Sequence, residues 1–251
     1  MVIERQKIIS KLQTKTLGRN LQVLESVDST NEQLKRLKSQ CTIIANRQTG
    51  GRGRGENKWY SPPNSNIYMS FSIALNQFEK SNLPPFSIII GVGIHRAIKK
   101  FTQKELSLKW PNDLYLEGKK VAGILCEIFP NISNPKFLIA GIGLNVNIEN
   151  FPPELALKAT SLFIEEGKIF DRSEIIASIL NETEPLLLLS IEEKTDFIIK
   201  EFRERCNFWG RKIKVNEMEG IMKDISNKGS LIIETTNNRL IEISSGTVEF
   251  I

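Results

Sequence analysis

Two cationic motifs in this 251-residue chain could do chemistry on anions. The first is the run Gln48-Thr49-Gly50-Gly51-Arg52-Gly53-Arg54-Gly55-Glu56-Asn57-Lys58-Trp59. Glycines let backbone N–H groups approach an anion, and interleaved arginines supply planar, permanently charged donors for a carboxylate or a phosphate. The same stretch also reads as a solvated flexible loop, or as an RNA-binding Gly-Arg tract. Such tracts repeat within disordered sequence, whereas this one occurs once, between two predicted strands. It is not a P-loop, because no GxxxxGK[ST] pattern is present. The second motif is Lys109-Trp110-Pro111-Asn112-Asp113. It puts a lysine at a strand end, followed by a rigid aromatic-proline corner into which Asn112 and Asp113 turn polar groups. The competing reading is a turn with a surface lysine.

Two neutral segments accompany them. Asp28-Ser29-Thr30-Asn31 places hydroxyls and an amide at a strand-to-helix corner, where they can hydrogen-bond a ureido or amide ring or simply cap the helix. Val121-Ala122-Gly123-Ile124-Leu125 and Gly141-Ile142-Gly143-Leu144-Asn145-Val146-Asn147 put small residues on predicted strands. That makes a floor for a flat ligand or a site of close strand packing. Gly141-x-Gly143 lacks the third glycine and the following helix of a dinucleotide fingerprint.

Composition narrows the classes. Hydrophobic residues make up 40% and charged residues 25%, which suffices for a globular core without metal or disulfide staples. The formal net charge of +5 favours anionic partners. Cys41, Cys126 and Cys206 are far apart and form no CxxC pair, so neither a zinc site nor a disulfide framework is expected. His95 is the only histidine, with no nucleophile near it in sequence. No apolar run reaches the roughly 18 residues of a membrane span, and the N-terminus lacks a signal-peptide pattern. The expected location is the cytoplasm, with no membrane partner.

The elements that must position these motifs follow from periodicity. Strands are predicted at 21–27, 42–46, 67–75, 106–110, 121–129 and 137–148. In 67–75 the alternation puts Ile67, Met69, Phe71, Ile73 and Leu75 on one face of a half-buried strand. Helices are predicted over 31–37, from Pro84-Pro85 through Phe101, and over 173–206 with an interruption at Pro185. Glu117-Gly118 supplies a turn. After Trp209-Gly210 the chain changes to short alternating runs and reads as a small all-β barrel. The division is therefore an α/β-type unit, 1–206, and a β unit, 207–251.

Taken together, in this order and spacing, the segments resemble the biotin protein ligase family. The matching residues are Asp28-Ser29-Thr30-Asn31, Gln48 with Gly51-Arg52-Gly53-Arg54, Trp59 with Ser61-Pro62, Lys109-Trp110-Pro111-Asn112-Asp113, Gly123-Ile124-Leu125 and Gly141-Ile142-Gly143-Leu144-Asn145-Val146. The resemblance implies an α+β fold, a mixed-sheet catalytic domain related to class II synthetases with a small C-terminal SH3-like β-barrel. It implies ATP-dependent ligation of biotin, through biotinyl-5'-AMP, to a lysine of the biotin carboxyl carrier protein of acetyl-CoA carboxylase, with Mg²⁺ accompanying ATP and no protein-held metal. Position by position, Ser29, Thr30, Asn31 and Gln48 would contact biotin. Gly51, Arg52, Gly53 and Arg54 would form the adenylate loop, beside Trp59. Lys109 would meet the activated carboxylate and α-phosphate. Gly123, Gly141 and Gly143 would line the pocket, and Asn145 would lie near the adenine. Asp113 could orient the acceptor amine. The catalytic cations would be Lys109, Arg52 and Arg54. A homodimer is left open. Residues 1–20 are too short for a helix-turn-helix domain, so no DNA partner is expected. Gly55-Glu56-Asn57 departs from the further arginine and glycine of many bacterial members, and Glu56 makes the loop less basic. A lipoate ligase, which shares the catalytic fold, generally lacks the pairing of this loop with the lysine motif.

Overall fold

The computed structural model describes residues 2–75, 85–129, 137–192 and 194–251. A seven-stranded mixed sheet carries the site. Its strands are β1 (Leu21–Leu24), β2 (Thr42–Ala45), β3 (Ile67–Ala74), β4 (Ser107–Lys109), β5 (Asp113–Leu116), β6 (Lys119–Phe129) and β7 (Phe137–Leu144), in the spatial order β1-β2-β3-β7-β6-β5-β4. Among the described strands only β1 and β2 pair in parallel, and the crossover this requires is made by α2 (Thr30–Leu37). The predicted strands are present, most with shortened ends, whereas β6 begins two residues before the predicted 121. The residues left between 110 and 121 form β5, which a two-residue turn at Glu117-Gly118, both with positive φ, joins to β6.

One face of the sheet is closed by helices. α3 (Phe86–Ile98) is apolar almost all round and buried, because it lies between the sheet and α6 (Arg172–Ile191). Pro85 occupies its N-cap position, and Pro84 lies outside the described residues. The predicted break at Pro185 does not occur: α6 runs through it with the proline ring on the exposed side. Burial of Ile176, Ile179, Leu180, Thr183 and Leu187 along one flank outweighs the loss of a single backbone hydrogen bond. The helical stretch ends instead at Ile191 and resumes as α7 (Asp196–Arg205). The polar N-terminal segment contains α1 (Arg5–Lys11), which packs on α6. Two short helices, α4 (Pro153–Ala156) and α5 (Leu162–Glu166), follow β7.

Strand β3 is buried on both faces rather than half-buried. Its second face carries Tyr68, Ser70 and Ser72, and α2 packs against it. The C-terminal strands β8 (Lys212–Val215), β9 (Met218–Ile225), β10 (Leu231–Glu234), β11 (Leu240–Ile243) and β12 (Val248–Phe250) form an antiparallel sheet ordered β11-β10-β9-β8-β12. Its ladder is open between β11 and β12, so the predicted barrel is here a sheet. This sheet shares one apolar core with the larger one, and Trp110 Nε1 donates to Gly229 O at 2.9 Å across the junction.

Candidate active site

Register builds the floor of the main pocket. Residues directly opposite one another in antiparallel strands point to the same face. Lys109 pairs with Asp113, Asp113 with Gly123, Gly123 with Gly143, and Gly143 with Tyr68. One row across five strands thus reads cation, carboxylate, glycine, glycine, tyrosine. The neighbouring row on the same face is Leu125, Gly141 and Ser70. The two glycines of β7 are needed for close approach: a Cβ on Gly141 would run into Asn31 Oδ1, and one on Gly143 into the Trp59 indole.

At one end of this floor stands a neutral hydrogen-bonding cluster. Ser29 is the N-cap residue of α2, yet its side chain makes no capping bond, which leaves the hydroxyl to the pocket. Thr30 N donates to Gln48 Oε1 at 3.0 Å. Ser70 Oγ lies 2.6 Å from both Thr30 Oγ1 and Asn31 Oδ1. Asn31 Nδ2 donates to Glu127 Oε2 at 2.8 Å. The buried amide of Asn31 is therefore held in one orientation. Burial pushes the Glu127 carboxyl up, but hydrogen bonds from Lys35 and Asn31 outweigh it and hold the group below its usual range.

The cations gather along the glycine-arginine run and at the end of β4. The glycine-arginine run is a tight turn rather than a slack loop: Gly53 N donates to Asn57 O at 2.7 Å, and Trp59 N to Gly51 O at 2.9 Å. Asn57, part of the segment that departs from the family pattern, closes this turn. Arg52 pairs with Glu32 at 2.5 Å and with Glu127 at 3.7 Å. Arg54 Nη1 donates to Gly246 O at 2.9 Å. Lys109 Nζ donates to Val248 O at 3.1 Å and lies 4.3 Å from the centre of the Phe250 ring. Burial pushes the Lys109 ammonium pKa down, with no carboxylate in direct contact to restore it. An anion arriving beside Lys109 would supply that missing charge.

The pocket of about 160 Å³ brings together Ser29, Thr30, Asn31, Gln48, Arg52, Gly53, Arg54, Trp59, Lys109, Asp113, Gly123, Gly141 and Gly143. Two of the residues expected in the site do not line it. Gly51 lies beneath the loop, where a Cβ would meet Ser61 Oγ at 2.5 Å. Asn145 is buried, with its amide engaged by Asn66 and by Thr160 O at 3.1 and 3.0 Å. Residues not foreseen also contribute. Ser70 and Glu127 support the neutral end, Thr247 and Val248 enter from the C-terminal sheet, and Lys120 pairs with Asp113 at 2.6 Å. A β-bulge between Leu114 and Tyr115 sets the register that aligns Lys120 with Tyr115, on the pocket face. Ser70 had no local signal, because the alternation puts it with Tyr68 and Ser72 on the face expected to be exposed, and α2 buries that face.

The remaining histidine, cysteine and carboxylate groups are placed as follows. His95 is buried in α3, its pKa pushed down by burial, and is not part of the pocket lining. The three cysteines are unpaired, and burial raises all three thiols, Cys126 and Cys206 to about 12. Among the described residues no group of three or more His, Cys, Asp or Glu is placed to hold a metal.

Comparison with known proteins agrees with this geometry. The biotin/lipoate A/B protein ligase family matches residues 23–147. The Escherichia coli bifunctional ligase/repressor BirA is 30% identical over 225 residues, covering 86% of this chain and 70% of that protein. The chain belongs to the biotin/lipoate protein ligase family. Within the family, the Mycobacterium tuberculosis biotin–[acetyl-CoA-carboxylase] ligase is 29% identical over 244 residues, covering 92% of this chain and 88% of the relative. The Aquifex aeolicus biotin protein ligase, solved with biotin and ATP, superposes with a TM-score of 0.83 at 33% identity, covering 93% of this chain and all of the other. The family's mixed α+β fold is therefore the fold of this chain.

Proposed function

We propose that this protein is a biotin protein ligase. It activates biotin with ATP to biotinyl-5'-AMP and transfers biotin to a specific lysine of the biotin carboxyl carrier protein of acetyl-CoA carboxylase. The observation that carries the reading is the polarity of the pocket: a preset neutral hydrogen-bonding end and a cationic end lie over one glycine floor. Biotin has the matching shape, with a neutral ureido ring at one end and a carboxylate at the other. Names and titles of the relatives, including a structure with biotin and ATP and a ligase named for acetyl-CoA carboxylase, support the same substrates.

In the first step the carboxylate of biotin attacks the α-phosphorus of ATP and pyrophosphate leaves. Both reactants are anions, so neutralising charge is the main task. Arg52, Arg54 and Lys109 serve it. Ser29, Thr30, Asn31 and Gln48 orient the ureido ring, while Gly123, Gly141 and Gly143 let the ligand lie against the sheet beside Trp59. Mg²⁺ would accompany the phosphates of ATP and share in neutralising their charge. The only carboxylate lining the pocket among the described residues is Asp113, already paired with Lys120, so no resident metal site is part of the reading. Asn145 we read as a brace for the wall near the adenine, since its amide is fully engaged.

Residues 1–206 form the catalytic unit in this reading. Residues 207–251 form the SH3-like unit, with β11 and β12 the edges that barrel closure would join. The enzyme works in the cytosol, where three unpaired cysteines stay reduced; among the described residues no helix is long and apolar enough to cross a membrane. DNA binding forms no part of it, and a homodimer is a matter for sedimentation. The test is incubation with biotin, Mg²⁺-ATP and an apo carrier domain, read by mass. The carrier should gain one biotin per acceptor lysine and none when lipoate replaces biotin. An unmodified carrier with biotin, or equal modification with lipoate, would sink the assignment.

A further inference from the structure

A buried lysine that must meet an anion has to be held without being neutralised. A carboxylate in contact with it would satisfy its charge and compete with the incoming ligand. Lys109 is held in another way. Its Nζ donates to Val248 O at 3.1 Å and, weakly, to Tyr115 Oη at 3.5 Å, which leaves at least one of its three N–H groups over. The ammonium sits 4.3 Å from the centre of the Phe250 ring and 5.4 Å from that of Tyr115. A ring at such a distance attracts a cation through its quadrupole, consuming no N–H group and leaving the net charge whole. The contact joins the two sheets, because Lys109 ends β4 and Phe250 lies in β12. Phe250 is fixed in turn. Its ring stacks on that of buried Phe208 with centres 5.3 Å apart, and Phe208 meets Tyr115 edge to face at 5.2 Å. The guanidinium of Arg211 lies 5.1 Å from the centre of Phe250 and 5.3 Å from that of Phe208, bracing the stack from its own side.

We propose that Phe250 is a positioning residue for Lys109, its π face aiming the ammonium at the reacting phosphate while leaving the full positive charge for that phosphate. The inference rests on the ligase reading and deepens it, since it gives a side chain of the C-terminal sheet a part in adenylation. Phe250 is not among the residues that line the pocket, so it acts through Lys109 rather than on the substrate. The two holders of Lys109 then have different parts. Val248 O is the partner that an arriving anion displaces, and the ring of Phe250 is the partner that stays when the anion is bound.

The test weakens the quadrupole of the ring while nearly keeping its shape. The full-length protein is prepared with the ring of Phe250 carrying one, two or three fluorines, and biotin-dependent ATP–pyrophosphate exchange is measured in each form. The kcat of exchange should fall stepwise with each fluorine, by about five- to tenfold over the series, the scale of one desolvated cation–π contact. The KM for biotin should stay within about twofold, because the neutral end of the pocket is untouched. Fluorine makes the ring more apolar, so a ring needed only for packing would give flat or rising rates. Phe250→Leu should show the whole loss, and Phe250→Tyr, which keeps the π face, should retain most of the rate. A flat fluorine series, or Phe250→Leu exchanging like the unaltered protein, would overturn the inference and leave the ligase reading standing. Absence of exchange in the unaltered protein would overturn the ligase reading, and this inference with it.

Discussion

At the α2 end of the pocket Thr30, Asn31, Gln48 and Ser70 are bonded to one another, with Glu127 and Ser61 completing the two amides, whereas Arg52, Arg54 and Lys109 lean on groups that a bound anion would have to replace. Glu32 holds Arg52, Gly246 O holds Arg54, and Val248 O holds Lys109. The contrast has a physical cause. A neutral cluster can be completed by its own donors and acceptors and kept rigid. A cluster of cations repels itself and tolerates burial only with counter-charges or carbonyl dipoles nearby. Rigid neutral groups suit recognition of an uncharged ring, and weakly held cations suit charge that develops during a reaction.

The sharpest way to break this contrast is to remove a cation. Lys109→Ala should lower biotin-dependent pyrophosphate exchange by about 10²–10³-fold, the loss of roughly 3–4 kcal/mol expected for one charged donor in a preorganised site. The thermal midpoint should move little, because what the change leaves behind is a carbonyl, Val248 O, that water can reach. Near-normal exchange would mean that the two ends do not differ as argued. The neutral end should respond in a different currency. Gly141→Ala puts a methyl against Asn31 Oδ1, and overpacking of this kind costs about 1–3 kcal/mol. The KM for biotin should rise by roughly tenfold or more while the kcat of exchange changes less. A fall in kcat at unchanged KM would assign the glycine to the reacting end instead.

How far each end was legible in sequence follows the same division. The neutral and loop residues lie in short contiguous motifs, so Ser29 to Asn31, Gln48, Arg52 to Arg54 and Lys109 were readable, and the sheet strands were readable from alternation. Lys120 was not, because a β-bulge shifts the alternation that would have placed it. Val248 and Gly246 were not, because their approach to Lys109 and Arg54 spans most of the chain and has no local pattern. Asn145 looked like a pocket residue by position, but its amide partners come from β3's approach and from Thr160, which only the fold reveals. The passage of α6 through Pro185 is likewise decided by tertiary burial rather than by local propensity.

A milder perturbation sharpens the picture of the loop. Arg54→Gly removes a charged donor held by a single carbonyl, so the turn itself, closed by Gly53 and Asn57, should survive. Release or hydrolysis of biotinyl-5'-AMP in the absence of acceptor should rise by about tenfold, the scale of one hydrogen bond from a charged group. Rapid gel filtration of the preloaded complex measures it, and an unchanged release rate would detach the loop from adenylate retention.

The smallest expected effect tests the carboxylate that joins the two ends. Glu127 holds Asn31 on one side and faces Lys35 and Arg52 on the other. Burial acts to raise its pKa, and the hydrogen bonds and positive charges around it more than reverse that, so its folded value lies below the ordinary one. A depressed carboxyl pKa contributes stability that is complete above the unfolded value, about 4.3, and is lost as pH falls through the folded value. At pH 7 the unaltered protein should therefore resist urea slightly better than Glu127→Gln, by less than about 1 kcal/mol for a half-buried pair. Below both values the protonated glutamate and the glutamine are near equivalents, and the difference should close. A gap that stays constant from pH 7 to acid would place the contribution of Glu127 in its shape and hydrogen bonding rather than in its charge. The fixed orientation of Asn31 would then be independent of the cations at the loop.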